Sequence, residues 1–186
     1  MFAQALLPLA CFAQKPSKFR LEGGLFQDFA PSAYYMKFVL LPLLKQIGIE
    51  ARLEIIRPGY VPKGGGIIQI EVEPVEKLKP LNLVEQGKIT TINGIALSSH
   101  LEEKKVSQRM AQECRKVLSA QGYKAEIQEI YDKSSLQEGA VLAIYAGTSS
   151  GSIIGSDRAG RPGRRSESIG RYVAQNFMED ISTGAA

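Results

Sequence analysis

The chain has 186 residues, of which 44% are apolar and 23% charged, a composition typical of a globular protein with a buried core. Lysines and arginines outnumber acidic residues only by 23 to 19, which permits an acidic partner without requiring one. One histidine, His100, and two distant cysteines, Cys11 and Cys114, exclude a His-based triad and a zinc site of ordinary ligand spacing. Because both cysteines stand among apolar residues, we expect buried free thiols and a cytoplasmic protein.

The chain opens with a nearly continuous apolar segment over residues 2–13. A secretory signal needs a basic leader, and no basic residue precedes Lys15, so the segment is interpreted as a helix of the folded protein. Helical spacing should place Phe2, Leu6, Leu9 and Phe12 on one buried face. No apolar run is long enough to predict a membrane span.

A strand and a helix are predicted next. The strand covers residues 18–22, where apolar and charged residues alternate. The helix should start with Pro31 as its first residue and stop at Gly48, with a bend at Pro42. The apolar stripe expected to face a sheet comprises Tyr34, Phe38, Leu41 and Leu44.

The most unusual stretch is a glycine triplet, Gly64, Gly65 and Gly66, between two strand-like runs at residues 53–56 and 67–72. These features predict a β-hairpin with a long loop. Glycine lacks a Cβ atom, so another backbone or a phosphate can approach it closely. On the residues alone, a tight hairpin bend and a ligand-binding loop both remain open.

The second half of the chain is predicted as a further unit of strands and helices. Its first helix should begin at a capping box of Ser99 and Glu102, carry an apolar stripe, and end at Gly122. A last amphipathic helix should cover residues 167–181. The elements between are expected to be strands at 88–98, 125–131 and 140–146 and a turn or flexible loop at 147–152.

A basic, glycine-containing segment separates the last strand run from the final helix. Residues 157–165 contain four arginines, Arg158, Arg161, Arg164 and Arg165. A guanidinium group pairs bidentately with phosphate oxygens, which favours a phosphate-binding loop. A solvated linker is the alternative, because short basic loops are common.

Four separate segments, in this order along the chain, carry a family resemblance. They are a Gln-x-x-Leu-Pro-like helix at residues 4–13, Gly-Gly at 23–24 with Ala-Pro at 30–31, Pro-x-Gly-Gly-Gly with aliphatic residues within 59–68, and a Leu-x-Leu-x-Glu-x-Gly turn at 81–87. In these segments the chain resembles the RNA 3′-terminal phosphate cyclase family. The order of four matches is more specific than any single one.

The resemblance implies an α/β (α+β) fold. It consists of repeated β-α-β-α-β-β units, of the kind shared by RNA 3′-phosphate cyclases and enolpyruvate transferases, with a small inserted α/β domain. Residues 1–87 would form an incomplete core repeat, 88–155 the insert, and 156–186 a return to the core. Because no strand is predicted before the first helix, we expect the chain to begin inside a repeat.

The resemblance also implies an activity. Cyclases of this family use ATP, with a divalent metal such as Mg or Mn, to convert RNA 3′-phosphate into 2′,3′-cyclic phosphate through a covalent histidyl-AMP. The nucleophilic histidine belongs to a segment after the last helix, so it should lie outside this chain. His100 is expected to be a solvated turn residue, and no residue here is assigned to catalysis or metal binding. RNA 3′ ends are the implied partners, and no membrane or DNA is expected.

Three residues correspond to the family's nucleotide site. Gln4 matches a glutamine that contacts the nucleotide, Pro31 a proline against which the adenine packs, and Tyr35 an aromatic position of the same site. Local roles, as a polar helix residue, a helix starter and a core aromatic, are the alternatives. Leu25 and Tyr34 depart from the threonine and aspartate common at their positions, which removes polar groups beside the implied site.

Two alternatives to the cyclase activity therefore remain as hypotheses. One is a non-catalytic cyclase-like protein that binds RNA or ribosome-assembly factors. The other is an enolpyruvate transferase relative, which the glycine triplet argues against.

Overall fold

The computed structural model describes residues 2–185 and has an α/β fold with two β-sheets. The first half contains α1 (Phe2–Cys11), β1 (Ser17–Gly23), α2 (Ala33–Tyr35), a π-helical turn (Met36–Leu40), α3 (Leu41–Gln46), β2 (Ala51–Arg57) and β3 (Gly66–Val72). The second half contains β4 (Ile89–Ser99), α4 (Val106–Ala120), β5 (Ala125–Asp132), β6 (Gly139–Thr148), β7 (Ile153–Ala159) and α5 (Ser166–Ser182). This confirms the predicted fold class.

The first sheet is built around the predicted hairpin. Its strand order is β1-β3-β2, and both pairings are antiparallel. β3 is the central strand and its apolar side chains are buried, whereas the edge strands alternate between inward and exposed positions, with Leu53 of β2 buried. The helices cover one face of this sheet, where Ile68, Ile70 and Val72 form part of its core.

Helix α1 lies where it was predicted, but its buried face is different. Phe2 is 82% exposed, Leu9 74% and Phe12 61%, so the expectation that these residues are buried is wrong. The helix is apolar on nearly every side, and periodicity alone therefore does not identify the packed face. Small residues on that face allow a close approach to the sheet; the buried residues are Ala3, Leu7, Ala10 and Cys11.

The second helical segment begins at Ala33, two residues later than the predicted first residue, Pro31. Ser32 is its N-cap, because the Ser32 hydroxyl accepts a hydrogen bond from the backbone N–H of Tyr35 at 3.1 Å. Pro31 stands just before the cap. Gly48, at φ +95°, ends the segment in the left-handed conformation that glycine favours.

The bend expected at Pro42 takes the form of a π-helical turn. The backbone N–H of Leu41 reaches the carbonyl of Met36, one residue further back than in an α-helix. Proline lacks a backbone N–H and its ring crowds the preceding turn, so a widened turn just before Pro42 accommodates it.

The second sheet has the strand order β5-β4-β6-β7. β4 and β5 are parallel and joined through α4, while β6 and β7 continue the sheet with antiparallel pairing. Alternate residues of β6 face opposite cores. Ala140, Leu142, Ile144 and Ala146 pack with α4 and α5, whereas Val141 and Ala143 pack with the first half.

Within residues 153–182, β7 belongs to the second sheet and also contacts the first half, where Arg158 pairs with Asp28. The predicted boundary at residue 155 falls inside β7, which pairs with β6 along its whole length. Helix α5, predicted as a return to the core repeat, packs against α4. The polar tract before β7 is a tight turn between paired strands, in which Gly151 has φ +91° and the N–H of Thr148 bonds to Ser152 O at 2.9 Å.

The predicted capping box at Ser99 is not formed. Ser99 is the last residue of β4, and α4 begins only at Val106, after Lys105 in a left-handed conformation at φ +48°. The Ser99 hydroxyl instead donates to Asp132 at 2.7 Å and bonds to the Tyr60 hydroxyl at 2.9 Å. Long-range partners therefore hold this residue in the sheet.

The two halves are joined by side chains from both. The rings of Phe38 and Tyr145 stack with centroids 4.6 Å apart and an interplanar angle of 1°. The Tyr60–Ser99 hydrogen bond makes a second connection. Within residues 2–185, no helix has the length and apolar character needed to cross a membrane.

Candidate functional site

An apolar groove of about 320 Å³ lies between α1, the end of β1 and the hairpin loop. The backbone of Gly23 and Gly24 forms one edge. Ala3, Leu25 and Met36 contribute apolar walls, and Glu22 and Gln27 contribute polar ones. A concave surface of this size that combines apolar walls with a few polar groups is typical of small-molecule sites.

Pro31 stands between this groove and a second, shallower depression of about 410 Å³. Tyr35 and Asp157 line the depression, and Phe29 beside it is 96% exposed. The loop over residues 24–32 thus presents a proline ring and an aromatic ring at a surface with two hollows that share Pro31 as a lining residue.

Ion pairs made by Asp28 hold this loop in place. Its carboxylate accepts two hydrogen bonds from the guanidinium of Arg164, at 2.9 and 2.7 Å, and lies 3.4 Å from Nε of Arg158. The Asp28 and Arg164 side chains are only 13% and 9% exposed. The hydrogen bonds from Arg164 hold the pKa of Asp28 below its ordinary value, so the carboxylate is charged at neutral pH.

A second carboxyl group, Asp157, lies at the base of the same loop. It accepts a hydrogen bond from the backbone N–H of Ser32 at 3.2 Å. Burial raises the pKa of Asp157 above its ordinary value. The pKa values of Asp28 and Asp157 are therefore shifted in opposite directions, although both residues line the same depression.

The glycine segments meet at the groove. A Cβ atom on Gly59 would overlap the backbone nitrogen of Gly66 and stand 2.7 Å from the carbonyl oxygen of Gly23. One on Gly64 would stand 3.3 Å from the Gly23 carbonyl carbon. The backbone N–H of Leu25 also bonds to Gly59 O at 2.9 Å. Close approach between backbones of this chain therefore accounts for the glycines without a ligand.

Comparison with known proteins identifies the family. The model of the RNA 3′-terminal phosphate cyclase family matches residues 1–178. The chain belongs to this family. The match confirms the resemblance seen in the four sequence segments.

Individual cyclases match the chain over nearly its whole length. The RNA 3′-terminal phosphate cyclase of Pyrobaculum aerophilum is 32% identical over all of the chain and 53% of the relative. Those of Desulfurococcus amylolyticus and Hyperthermus butylicus are each 34% identical over 98% of the chain, and over 53% and 52% of the relatives. The chain therefore spans about half the length of these curated cyclases.

The three residues assigned to the cyclase nucleotide site are only partly brought together. Pro31 and Tyr35 line the same depression. Gln4 is half-buried on α1, next to the groove residue Ala3, but is not among the residues that line either hollow.

The sequence interpretation missed Asp28, Asp157 and Phe29. Asp28 gives one local signal, since it lies between the Gly-Gly and Ala-Pro segments of the cyclase pattern. Its arginine partner is 136 residues away, so the pairing is not visible in the sequence.

The groove fits one part of ATP better than the other. Its apolar walls and the Pro31 ring suit a flat base. None of the lysines or arginines in the described chain lines the groove or the depression, and Arg57 nearby is directed to Glu22 and to Gly65 O. The residues therefore fit an adenine but do not neutralise a triphosphate.

A divalent metal does not fit the residues present. Within residues 2–185 there is no cluster of three or more His, Cys, Asp or Glu side chains that could hold one. Asp28, the carboxylate nearest to Pro31 in sequence, is already occupied by Arg164. We therefore derive no catalytic step through a metal held by this chain.

His100 is exposed in the turn after β4, with φ +57°. Its Nε2 bonds to the carbonyl oxygen of Ser135 at 2.7 Å. It lines neither the groove nor the depression.

The four arginines divide into two classes. Arg164 and Arg158 are bound to Asp28, and the Arg158 guanidinium also lies 4.1 Å from the centroid of the Tyr172 ring. Arg161 and Arg165 are exposed. The first pair thus stabilises the fold, whereas Arg161 and Arg165 have no ion-pair partner within 4 Å among residues 2–185.

Proposed function

We propose that this chain is the adenine-holding part of an ATP-dependent RNA 3′-terminal phosphate cyclase, and that the protein to which it belongs converts RNA 3′-phosphate ends into 2′,3′-cyclic phosphates. The observation that carries the proposal is the position of Pro31, at the junction of two hollows in a loop fixed by buried ion pairs. Family membership and the apolar lining of the groove support it.

The proposed chemistry has three displacements. A histidine nitrogen attacks the α-phosphorus of ATP and releases pyrophosphate; an oxygen of the RNA 3′-phosphate then takes the AMP and frees the histidine. The neighbouring 2′-hydroxyl loses its proton, attacks the phosphorus of the RNA 3′-phosphate and expels AMP, which closes the 2′,3′-cyclic phosphate. Splitting the reaction in this way replaces a poor leaving group by AMP.

We place the nucleophilic histidine outside this chain. His100 is the only histidine in the sequence, and it is bonded to the Ser135 carbonyl away from the groove. The contribution of this chain is to bind and orient the base: Pro31 contacts it at the edge of the groove, Tyr35 lies in the depression on the other side of Pro31, and the aliphatic groove walls exclude water from it.

The first test measures nucleotide binding and covalent labelling of the 186-residue protein. ATP should bind, and Pro31→Ala should weaken binding about fivefold, near 1 kcal/mol, because a stacking surface is lost. Pro80→Ala, at an exposed proline outside the groove, is the matched control and should leave the affinity unchanged. Isothermal titration calorimetry measures the affinity of the unaltered protein and of each variant for ATP.

Labelling with α-³²P-ATP followed by denaturation should leave no radioactivity on the protein. A stable protein–AMP adduct would place the nucleophile within this chain and contradict the assignment.

One observation favours the non-catalytic alternative. Leu25 lines the groove where the family commonly has threonine, and Tyr34 is buried in the core where it commonly has aspartate. A protein that binds RNA tightly but shows no affinity for ATP would support this second function.

A further inference from the structure

A cleft of about 450 Å³ lies where the hairpin loop meets the second sheet and the arginine segment before α5. It is separate from the groove at Pro31: apart from Val61, the two share no lining residue among those described. Residues 160–166 form one wall of the cleft, and Val61 and Pro62 of the hairpin loop form the other side.

The lining of this cleft is strongly basic. Glu138 is its one acidic lining residue among those described. Its lysine and arginine residues are Lys104, Arg109, Arg161, Arg164 and Arg165. Three of these are already neutralised: Arg164 by Asp28, Arg109 by Glu167 at 2.7 Å, and Lys104 by Glu138 at 3.8 Å.

Arg161 and Arg165 remain without an ion-pair partner among residues 2–185, and both are exposed. They flank a turn in which the N–H of Arg164 bonds to Arg161 O at 3.0 Å. Because the Arg164 side chain is anchored to Asp28, the turn is held in place before any ligand arrives. Holding the turn in place reduces the entropy lost on binding.

The turn is also open to a ligand. Gly163 has φ +81°, and no atom lies within 4 Å of the point where its Cβ would stand. A ligand can therefore approach the backbone between the two unpaired guanidinium groups. Two such groups suit successive phosphates, since each guanidinium forms paired hydrogen bonds with phosphate oxygens.

The opposite side of the cleft is apolar. Val61 is 58% exposed, and Pro62 and Leu101 lie beside it. A ligand that matches both sides carries phosphates along one edge and flat apolar groups along the other, which is the chemistry of a single-stranded nucleic acid with unstacked bases.

From this geometry we infer that the cleft binds the single-stranded body of the RNA, with Arg161 and Arg165 on phosphodiesters upstream of the reacting 3′ end and bases against Val61, Pro62 and Leu101. This inference rests on the proposed function for its choice of RNA. It assigns to this chain a second binding surface, distinct from the adenine groove.

The test compares RNA binding by the 186-residue protein and a double variant, Arg161→Glu with Arg165→Glu. Fluorescence anisotropy with a labelled RNA of about 12 nucleotides should show affinity reduced about tenfold or more at low salt. The plot of log affinity against log salt should become shallower by about 1.4, from two lost phosphate contacts at about 0.7 each.

The matched control is Lys116→Glu with Lys124→Glu, which changes the net charge equally at exposed positions outside the cleft. It should keep affinity within about twofold, as expected when overall charge contributes little. Unchanged melting temperatures for both double variants would show that folding is intact.

Two results would overturn the inference: RNA affinity unchanged in the arginine variant, or an equal loss in the lysine control. If the adenine proposal is wrong, the result is different: the protein does not bind ATP, but RNA binding still depends on Arg161 and Arg165. The arginine variant should conversely bind ATP as well as the unaltered protein does.

Discussion

At the scale of single residues, Asp28 determines the geometry of the loop that carries Pro31. Its carboxylate joins the loop to Arg158 and Arg164, which come from β7 and the segment after it. The sequence showed the arginines but not their partner, so all four were considered as phosphate ligands. A contact across 136 residues has no local signature in composition or periodicity.

Replacing Asp28 with Asn should destabilise the protein by about 3 kcal/mol, because the buried Arg164 guanidinium loses its counter-charge. Urea unfolding at pH 7 measures the difference. Glu102→Gln, which removes an exposed pair with Lys133, is the control and should change stability by no more than about 0.5 kcal/mol. An Asp28→Asn protein as stable as this control would contradict the role given to the carboxylate.

The same substitution has a defined pH dependence. Since folding lowers the pKa of Asp28, its stabilising effect is complete above the unfolded pKa of about 3.9 and is lost as pH falls through the lower folded value. The stability difference between the two proteins should therefore be constant from pH 7 to about pH 5 and shrink below about pH 4. A difference that grows on acidification would have the wrong sign.

At the scale of elements, local periodicity located most helices and strands but not their partners. The helix over residues 2–11 was found, yet its packed face was misassigned because apolar residues surround it. Ser99 and Glu102 have the spacing of a capping box, but bonds to Asp132 and Tyr60 keep Ser99 in β4. At Ser99, tertiary contacts override a local signal; in the helix, the apolar periodicity does not single out one face.

The hairpin offers a direct test of close backbone packing. Gly59→Ala should cost about 3 kcal/mol, the upper end of the range for overpacking, because the new methyl group meets the backbone of Gly66 and Gly23 and neither can move aside. Gly23→Ala is a matched control: nothing lies within 4 Å of its Cβ position, and its φ is not positive. Thermal unfolding of the two variants measures the difference, and equal melting temperatures would contradict the packing argument.

At the scale of the whole molecule, the second sheet is packed on both faces. Helices α4 and α5 cover one face, and the other contacts the first half through Val141, Ala143 and the Phe38–Tyr145 stack. The fold class was predictable because strands and helices alternate along the chain. The pairing of β7 with β6 was not, since strand order depends on pairing that the sequence does not display.

A double-mutant cycle on Phe38→Ala and Tyr145→Ala measures how strongly the halves are coupled. We expect an interaction energy of about 1 kcal/mol from the stacked rings, beyond the sum of the single effects. The control cycle pairs Phe38→Ala with Tyr172→Ala, on a helix that covers the opposite face, and should be additive within about 0.5 kcal/mol. Additivity in the first cycle would mean that the stack does not hold the halves together.

The shared carboxylate of Asp28 also has a consequence for local opening. Among the described residues, Asp28 in the loop before α2 is the only counter-charge for the buried guanidinium of Arg164 in the turn before α5. Neither segment can detach without stranding a charge in the other. Amide protons of the two segments should accordingly exchange with solvent deuterium as one cooperative unit, at a common free energy of opening.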